Sequence, residues 1–225
     1  MTNTAGASGS GSGASSSPSS ASLARIEPYL LLAKSARGAA AARIIHEATA
    51  APGCYVFAEL ADTPAVNDLS ADTATHGKTL ALLELFMYGT LADYQARPDA
   101  YPPLSPAHLA KLRQLTLVTL ASQSRMLSYR HLVDALQLSG DEAGSSSSTP
   151  NATLAPTMVR KLEDAIIEAM YSGLVAGKLD QKKLRFHVDS VMGRDVAGQE
   201  ELKGMEEQLR EWYVVLYNDS TMLVL

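Results

Sequence analysis

The run Asp164-Ala-Ile-Ile-Glu-Ala-Met-Tyr-Ser-Gly-Leu-Val-Ala-Gly-Lys-Leu-Asp-Gln181 most restricts the fold, because it begins as an amphipathic helix, stops at Gly173 and enters a strand. A change of apolar period from 3.6 to 2 across a glycine marks a helix feeding a hairpin. Two more helical patterns precede it. From Ser105 to Met126, Leu112, Leu115, Leu117, Val118, Leu120 and Ala121 cover most of a helix. Only Thr116, Thr119 and Gln123 keep a narrow polar stripe, which predicts a buried spine. Ser128 can cap a second helix, in which Tyr129, Leu132, Val133 and Leu136 fall at helical spacing. The third, about Met158 to Ser172, packs through Val159, Leu162, Ile166, Ala169 and Met170. Lys178-Leu-Asp-Gln181 and Leu184 to Val188 then pair, since Leu184, Phe186 and Val188 alternate with Arg185 and His187. Three helices followed by a two-stranded wing is the order of a winged helix, a scaffold used to read DNA and to build protein complexes.

The segment before it, Ser22 to Ala110, is expected to be helical throughout. Pro28 is placed near a helix start, Ala39 to Ala51 is a strong helix former closed by Pro52-Gly53, and Tyr55 to Leu60 reads as a short apolar helix. Thr73 to Met87 carries apolar residues on two faces, so it needs neighbours on both sides, as in stacked helical hairpins of the HEAT or TPR kind. The prolines between Arg97 and Pro106 mark the joint. The expected division is a disordered Gly/Ser-rich tail (1–21), a helical-repeat part (22–110), a winged-helix part (111–196) with a flexible insertion (140–156), and a terminal helix (197–225). In that helix Leu202, Met205, Leu209, Trp212 and Leu216 recur at spacings of three and four, a stripe that wants a partner helix. The apolar end Met222 to Leu225 suggests that the natural chain continues.

Composition and missing motifs narrow the chemistry. A 46% hydrophobic content supplies a core, and a formal charge of -5 argues against a dominant nucleic-acid surface. The single cysteine, Cys54, suits a small buried side chain in a reducing compartment. His46, His76, His108, His131 and His187 are scattered without ligand spacing, and no nucleophile elbow is present, so neither a metal, a cofactor nor catalysis is expected. No secretory signal or membrane-length apolar run occurs, which predicts an intracellular, soluble protein. A DNA-reading third helix should expose cations, whereas Glu163, Asp164 and Glu168 follow Arg160 and Lys161. An assembly subunit remains. Its expected contacts are the wing residues Lys178, Leu179, Asp180, Gln181, Arg185 and His187, and the stripe from Leu202 to Leu216.

Several motifs then carry a family likeness. Pro52-Gly-x-Tyr-Val-Phe-x-Glu-Leu60, Leu85-Phe-x-Tyr-Gly-Thr-x-x-Asp-Tyr94, Lys111-Leu-x-x-Leu-Thr-Leu-Val-x-Leu-Ala-Ser122, the Ala165 to Gln181 run and Gly193-Arg-Asp195 resemble the signalosome subunit-seven group of PCI-domain proteins. The resemblance covers about Glu27 to Val196 and implies helical repeats followed by a winged helix whose wing pairs with neighbouring PCI subunits. It also implies a C-terminal helix that joins a bundle with other subunits, the MPN-domain pair included. The implied assembly, found in cytoplasm and nucleus, removes Nedd8 from cullin-RING ligases, with catalysis on a different, zinc-binding subunit. A PCI subunit of translation initiation factor three (subunit m) or of the proteasome lid is the alternative. A winged-helix nucleic-acid binder is a more remote one.

Overall fold

The computed structural model describes residues 18–71, 73–138 and 154–222. The stretches assigned to the tail up to residue 17 and to most of the insertion lie outside the described residues. Helices α1 (Pro18–Ala33), α2 (Ala39–Ala50), α3 (Ala58–Ala61), α4 (Pro64–Ala71), α5 (Thr73–Met87) and α6 (Leu91–Ala96) form the first part. Helix α7 (Pro106–Gln123) is followed by β1 (Met126–Ser128), α8 (Tyr129–Leu136), α9 (Pro156–Tyr171), β2 (Val175–Asp180), β3 (Arg185–Val191) and α10 (Gly198–Met222). The fold is thus a mainly α helical bundle followed by a winged helix and a C-terminal helix, in the predicted order.

In the bundle α2 packs on α1, α4 and α5, burying Ile26, Ile45, Leu69, Leu82 and Phe86. Helix α7 lies against α2 and α6 on one side and against α8, α9, β1 and β3 on the other. One apolar cluster therefore runs continuously from Ile26 to Met192. Fully buried Tyr129 and Phe186 fill its winged-helix end.

Local details correct the sequence reading. Helix α1 begins early enough to contain Pro28 in its interior rather than near its start, and it takes in Pro18 to Ala21. Burial of Ser22, Ile26 and Ala33 on one side outweighs the lost backbone bond, because Ala24, four residues before the proline, is exposed and its carbonyl can reach water. Tyr55 to Phe57 is not helical, and only Ala58 to Ala61 turns. Helix α6 is held by a capping box, in which Asp93 Oδ2 accepts from the Thr90 N–H at 2.7 Å. Thr116 is not on a solvated stripe. It is buried, donates to the Leu112 carbonyl (2.7 Å) and accepts the Leu91 N–H at 3.0 Å, so it satisfies the start of α6.

The wing is three-stranded rather than two-stranded, in the order β1-β3-β2, all antiparallel. Leu127 faces Phe186, which in turn faces Leu179, so apolar side chains stack on the inner face. The ladder slips between Ala176 and Gly177. A Cβ at Gly177 would run into the His187 carbonyl and the Phe186 ring, so this position needs glycine.

Two adjacent charges tie the wing back to the bundle. Arg194 donates from Nη1 to the Gly89 carbonyl (3.0 Å) and to Thr119 Oγ1, and from Nη2 to the Phe86 and Met87 carbonyls (3.0 Å each). Those carbonyls are at the C-terminal end of α5, where helix geometry leaves them unbonded and the dipole favours a cation. Asp195 accepts the N–H groups of Phe57 (2.7 Å) and Ala58 (3.1 Å) at the start of α3. Arg194→Met should lower the urea-unfolding free energy by about 2–4 kcal/mol, since it strands buried carbonyls that a charged donor now satisfies. A change under about 0.5 kcal/mol, the usual size for a surface site, would refute this role.

Candidate interaction surfaces

The wing residues expected at an interface fall on β2, on β3 and, for Gln181, in the turn between them. Lys178 is exposed and Leu179 and Asp180 half-buried on β2, an outer strand that bonds only to β3. The other edge of β2 has no strand against it among the described residues. Arg185 and His187 are on β3, which is paired on both sides, so they offer side chains but no backbone edge. This corrects the two-stranded expectation. Its cause is β1, a strand too short for its alternation to be read from sequence.

Several of these side chains already have work within the chain. Asp180 Oδ1 accepts the Lys183 N–H (3.0 Å) and closes the turn. Gln181 donates to Glu163 Oε2 (3.0 Å), and Glu163 Oε1 accepts the Tyr129 hydroxyl (3.0 Å). Glu163 is therefore a half-buried bracket between α8, α9 and the wing, not one of three carboxylates facing solvent; Asp164 and Glu168 remain exposed. Burial, then the bond to Glu163, hold the Tyr129 phenol protonated above its usual range.

The second surface is α10. Glu201 accepts the Ala197 N–H (2.6 Å) at its start. Beyond that, Leu202, Met205, Leu209 and Trp212 are each at least half exposed at a/d spacing, with relative exposures of 54%, 50%, 65% and 60%. The side chain of Leu216 lies outside the described residues. Single exposed apolar residues are ordinary, but four large ones in register on one helix form a seam.

A third surface was not foreseen. Between α1, the Pro52-Gly53 bend, α7 and the end of α9 lies a cleft of about 740 Å³ lined by Arg25, Lys111, Gln114 and Glu168. Lys111 is buried, donates from Nζ to the Ala48 carbonyl (3.2 Å), and sits 5.9 and 5.4 Å from the ring centroids of Tyr55 and Phe57. Burial pulls its pKa down from 10.5 to about 8. One turn earlier His108 is buried as well, its Nδ1 accepting the Ser105 N–H (3.3 Å) and its Nε2 facing Thr49 Oγ1 (3.1 Å). Burial and the neighbouring His46 keep His108 neutral below its ordinary pKa. The contacts of Lys111 with Ala48 and of His108 with Thr49 join residues some sixty positions apart, so no local spacing announces them. Among the described residues no cluster of three His, Cys, Asp or Glu could hold a metal ion, and no helix is long and apolar enough to cross a membrane.

A helical bundle continuing into a winged helix is the architecture of the PCI class, and comparison with known families agrees. The family described as CSN7 helical bundle subdomain matches residues 27–58, from within α1 to the start of α3, and the PCI domain matches residues 91–190, from α6 to β3. COP9 signalosome complex subunit 7a of Mus musculus is 42% identical over 188 residues, which are 84% of this chain and 61% of that protein. COP9 signalosome complex subunit 7 of Dictyostelium discoideum is 35% identical over 83% of this chain and 64% of its own length. A more distant relative, eukaryotic translation initiation factor 3 subunit M of Aspergillus terreus, is 28% identical over 79% of this chain and 36% of its own. The chain thus matches the PCI-domain family over residues 91–190 and is similar over most of its length to curated proteins named COP9 signalosome complex subunit 7. It spans about three-fifths of the length of the first of these relatives.

The buried ammonium sets a pH dependence. Below pH 8 the folded and unfolded chains both carry the Lys111 proton, and the cost of burying the charge is full. Between about 8 and 10.5 the folded chain releases the proton first, so this contribution to stability rises with pH. Cys54, raised by burial, acts in the opposite sense in this window. The comparison is therefore made in a Cys54→Ala background. There the unfolding free energy minus that of Lys111→Met should rise by about 2 kcal/mol from pH 7.5 to 10. A flat difference would show that Lys111 titrates normally.

Proposed function

We propose that the chain is a non-catalytic scaffold subunit of the COP9 signalosome, docking other PCI and MPN-domain subunits through its wing and its terminal helix. The observation that carries the reading is the seam Leu202, Met205, Leu209 and Trp212, which is apolar, in heptad register and exposed along α10. A helix with such a stripe loses free energy by leaving it in water and recovers it against a matching helix. The wing adds the outer edge of β2, where Lys178 and Leu179 can extend a sheet into a neighbour, with Asp180, Gln181, Arg185 and His187 around it. The relatives' names and the PCI match support the choice of assembly. In this reading residues 22–110 and 111–196 act as the helical and winged halves of one docking unit. The chain works in cytoplasm and nucleus and acts on cullin-RING ligases only through the assembled complex that removes Nedd8. It engages neither nucleic acid nor membrane, and needs no cofactor.

Leu209→Asp with Trp212→Asp, and separately Lys178→Glu with Arg185→Glu, should leave thermal unfolding of the isolated chain unchanged, because all four side chains are exposed. Each pair should reduce signalosome subunits recovered with the tagged chain from cells by about tenfold or more, quantified by mass spectrometry. Undiminished recovery with both pairs changed would sink the reading. Recovery of small-ribosomal-subunit proteins instead would transfer the chain to the initiation factor.

A further inference from the structure

The cleft between α1 and α7 carries more positive charge than the fold needs. The ion pairs within 4.0 Å among the described residues are Arg43 with Glu47 and Arg210 with Glu206, so no carboxylate answers Lys111. Its ammonium has three donors, and the Ala48 carbonyl takes one. A buried cation without a counter-ion is costly to keep, and such residues in clefts concentrate at functional sites.

The surroundings supply the rest of a recognition site. Gly53, at φ 82, is the bend against which the exposed Arg25 guanidinium rests; a Cβ there would fall on that guanidinium. Ser22, which is buried, accepts the Tyr55 N–H at 2.9 Å and fixes α1, with Arg25 on it, to the bend. Gln114 accepts the Tyr55 hydroxyl (3.1 Å) through Oε1, leaving its amide N–H groups as donors toward the cleft. The floor includes Pro52, Ala107 and Ala110, and at the mouth stands Tyr171, 90% exposed. Glu168 lines the opposite wall. Two cations against one carboxylate balance a single added negative charge better than the near-dianion of a phosphate group.

We propose that this cleft binds an acidic peptide segment, seating one Asp or Glu carboxylate between Arg25 and Lys111 and packing a neighbouring apolar side chain on Tyr171. The guanidinium gives a two-pronged bond to the carboxylate and the ammonium a point charge behind it. Gln114 is placed to bond the peptide backbone. The site belongs to the chain alone and does not depend on which assembly the chain joins.

The test uses the full 225-residue chain, fluorescently labelled, on an array of pentapeptides whose central residue is Glu, Asp, phosphoserine, Gln or Lys between randomised Leu, Phe and Ala. Glu and Asp peptides should be retained, and the same sequences with Gln should bind at least about tenfold more weakly by fluorescence anisotropy. Arg25→Ala, at an exposed position, should keep its circular dichroism and unfolding midpoint yet lose about tenfold in affinity. Lys111→Met should fold at least as stably as the wild type and lose more. Equal binding of Glu and Gln peptides would overturn the proposal, as would Arg25→Ala binding like wild type, or no retention at about 1 mM. Phosphoserine peptides binding tighter than Glu peptides would overturn the choice of a carboxylate.

Discussion

Arg194 holds the wing to the helical bundle, and the placement of everything after β3 depends on it. Its guanidinium is directed by geometry rather than by an opposite charge: carbonyls of Phe86, Met87 and Gly89 converge where α5 ends, and the planar fork reaches all of them. Asp195 then takes the complementary position on the backbone N–H groups of Phe57 and Ala58. Successive residues thus satisfy the finish of one helix and the start of another. The chain enters α10 immediately afterwards, at Gly198, so the direction in which the exposed seam leaves the body is fixed by these two side chains.

The same constraint explains what could and could not be read from sequence. Elements whose apolar residues repeat at a helical period were legible: α7 appears as a largely buried helix, α8 and α9 with the predicted faces, and Tyr129, Leu132, Val133 and Leu136 are all buried. The Ser128 cap was also visible, because it acts on His131 three residues away. What escaped was non-local or too short to have a period. Strand β1 is three residues long and exists because β3 offers it a partner. Thr116 looked like a polar stripe because its partner, Leu91, is twenty-five residues earlier. Glu163 looked like a solvent carboxylate because Tyr129 and Gln181 approach it from either side in sequence. In the candidate surfaces the stripe of α10 was readable as a pattern, and the wing through the alternation of Phe186 and Val188 with Arg185 and His187, which are on β3. The position of Arg185 and His187 on a central strand was not, since strand order is a property of the assembled sheet.

Buried charge follows one rule in this protein and departs from it once. Among the described residues, Arg194 and Lys111 are both cations withdrawn from water, and both are turned toward carbonyls at the C-terminal end of a helix, α5 and α2 respectively. Each comes from a later segment and so staples an early helix to the winged half. The two are not equally compensated. Arg194 has four acceptors and the charge of Asp195 beside it, while Lys111 has one carbonyl and two aromatic faces.

If Lys111 only stapled α7 to α2, an uncharged residue would serve without the cost of desolvation, as Thr116 does on the same helix by bonding α6 through a hydroxyl. Packing alone therefore accounts for the position of the Lys111 stem, and not for the charge at its tip. The charge has a use only where an anion can reach it, and the cleft with Arg25 at its mouth and Gly53 leaving that guanidinium room is such a place. Both Nη groups of Arg194 are engaged inside the fold, by three carbonyls and the Thr119 hydroxyl; Lys111 has a single carbonyl and keeps donors to spare.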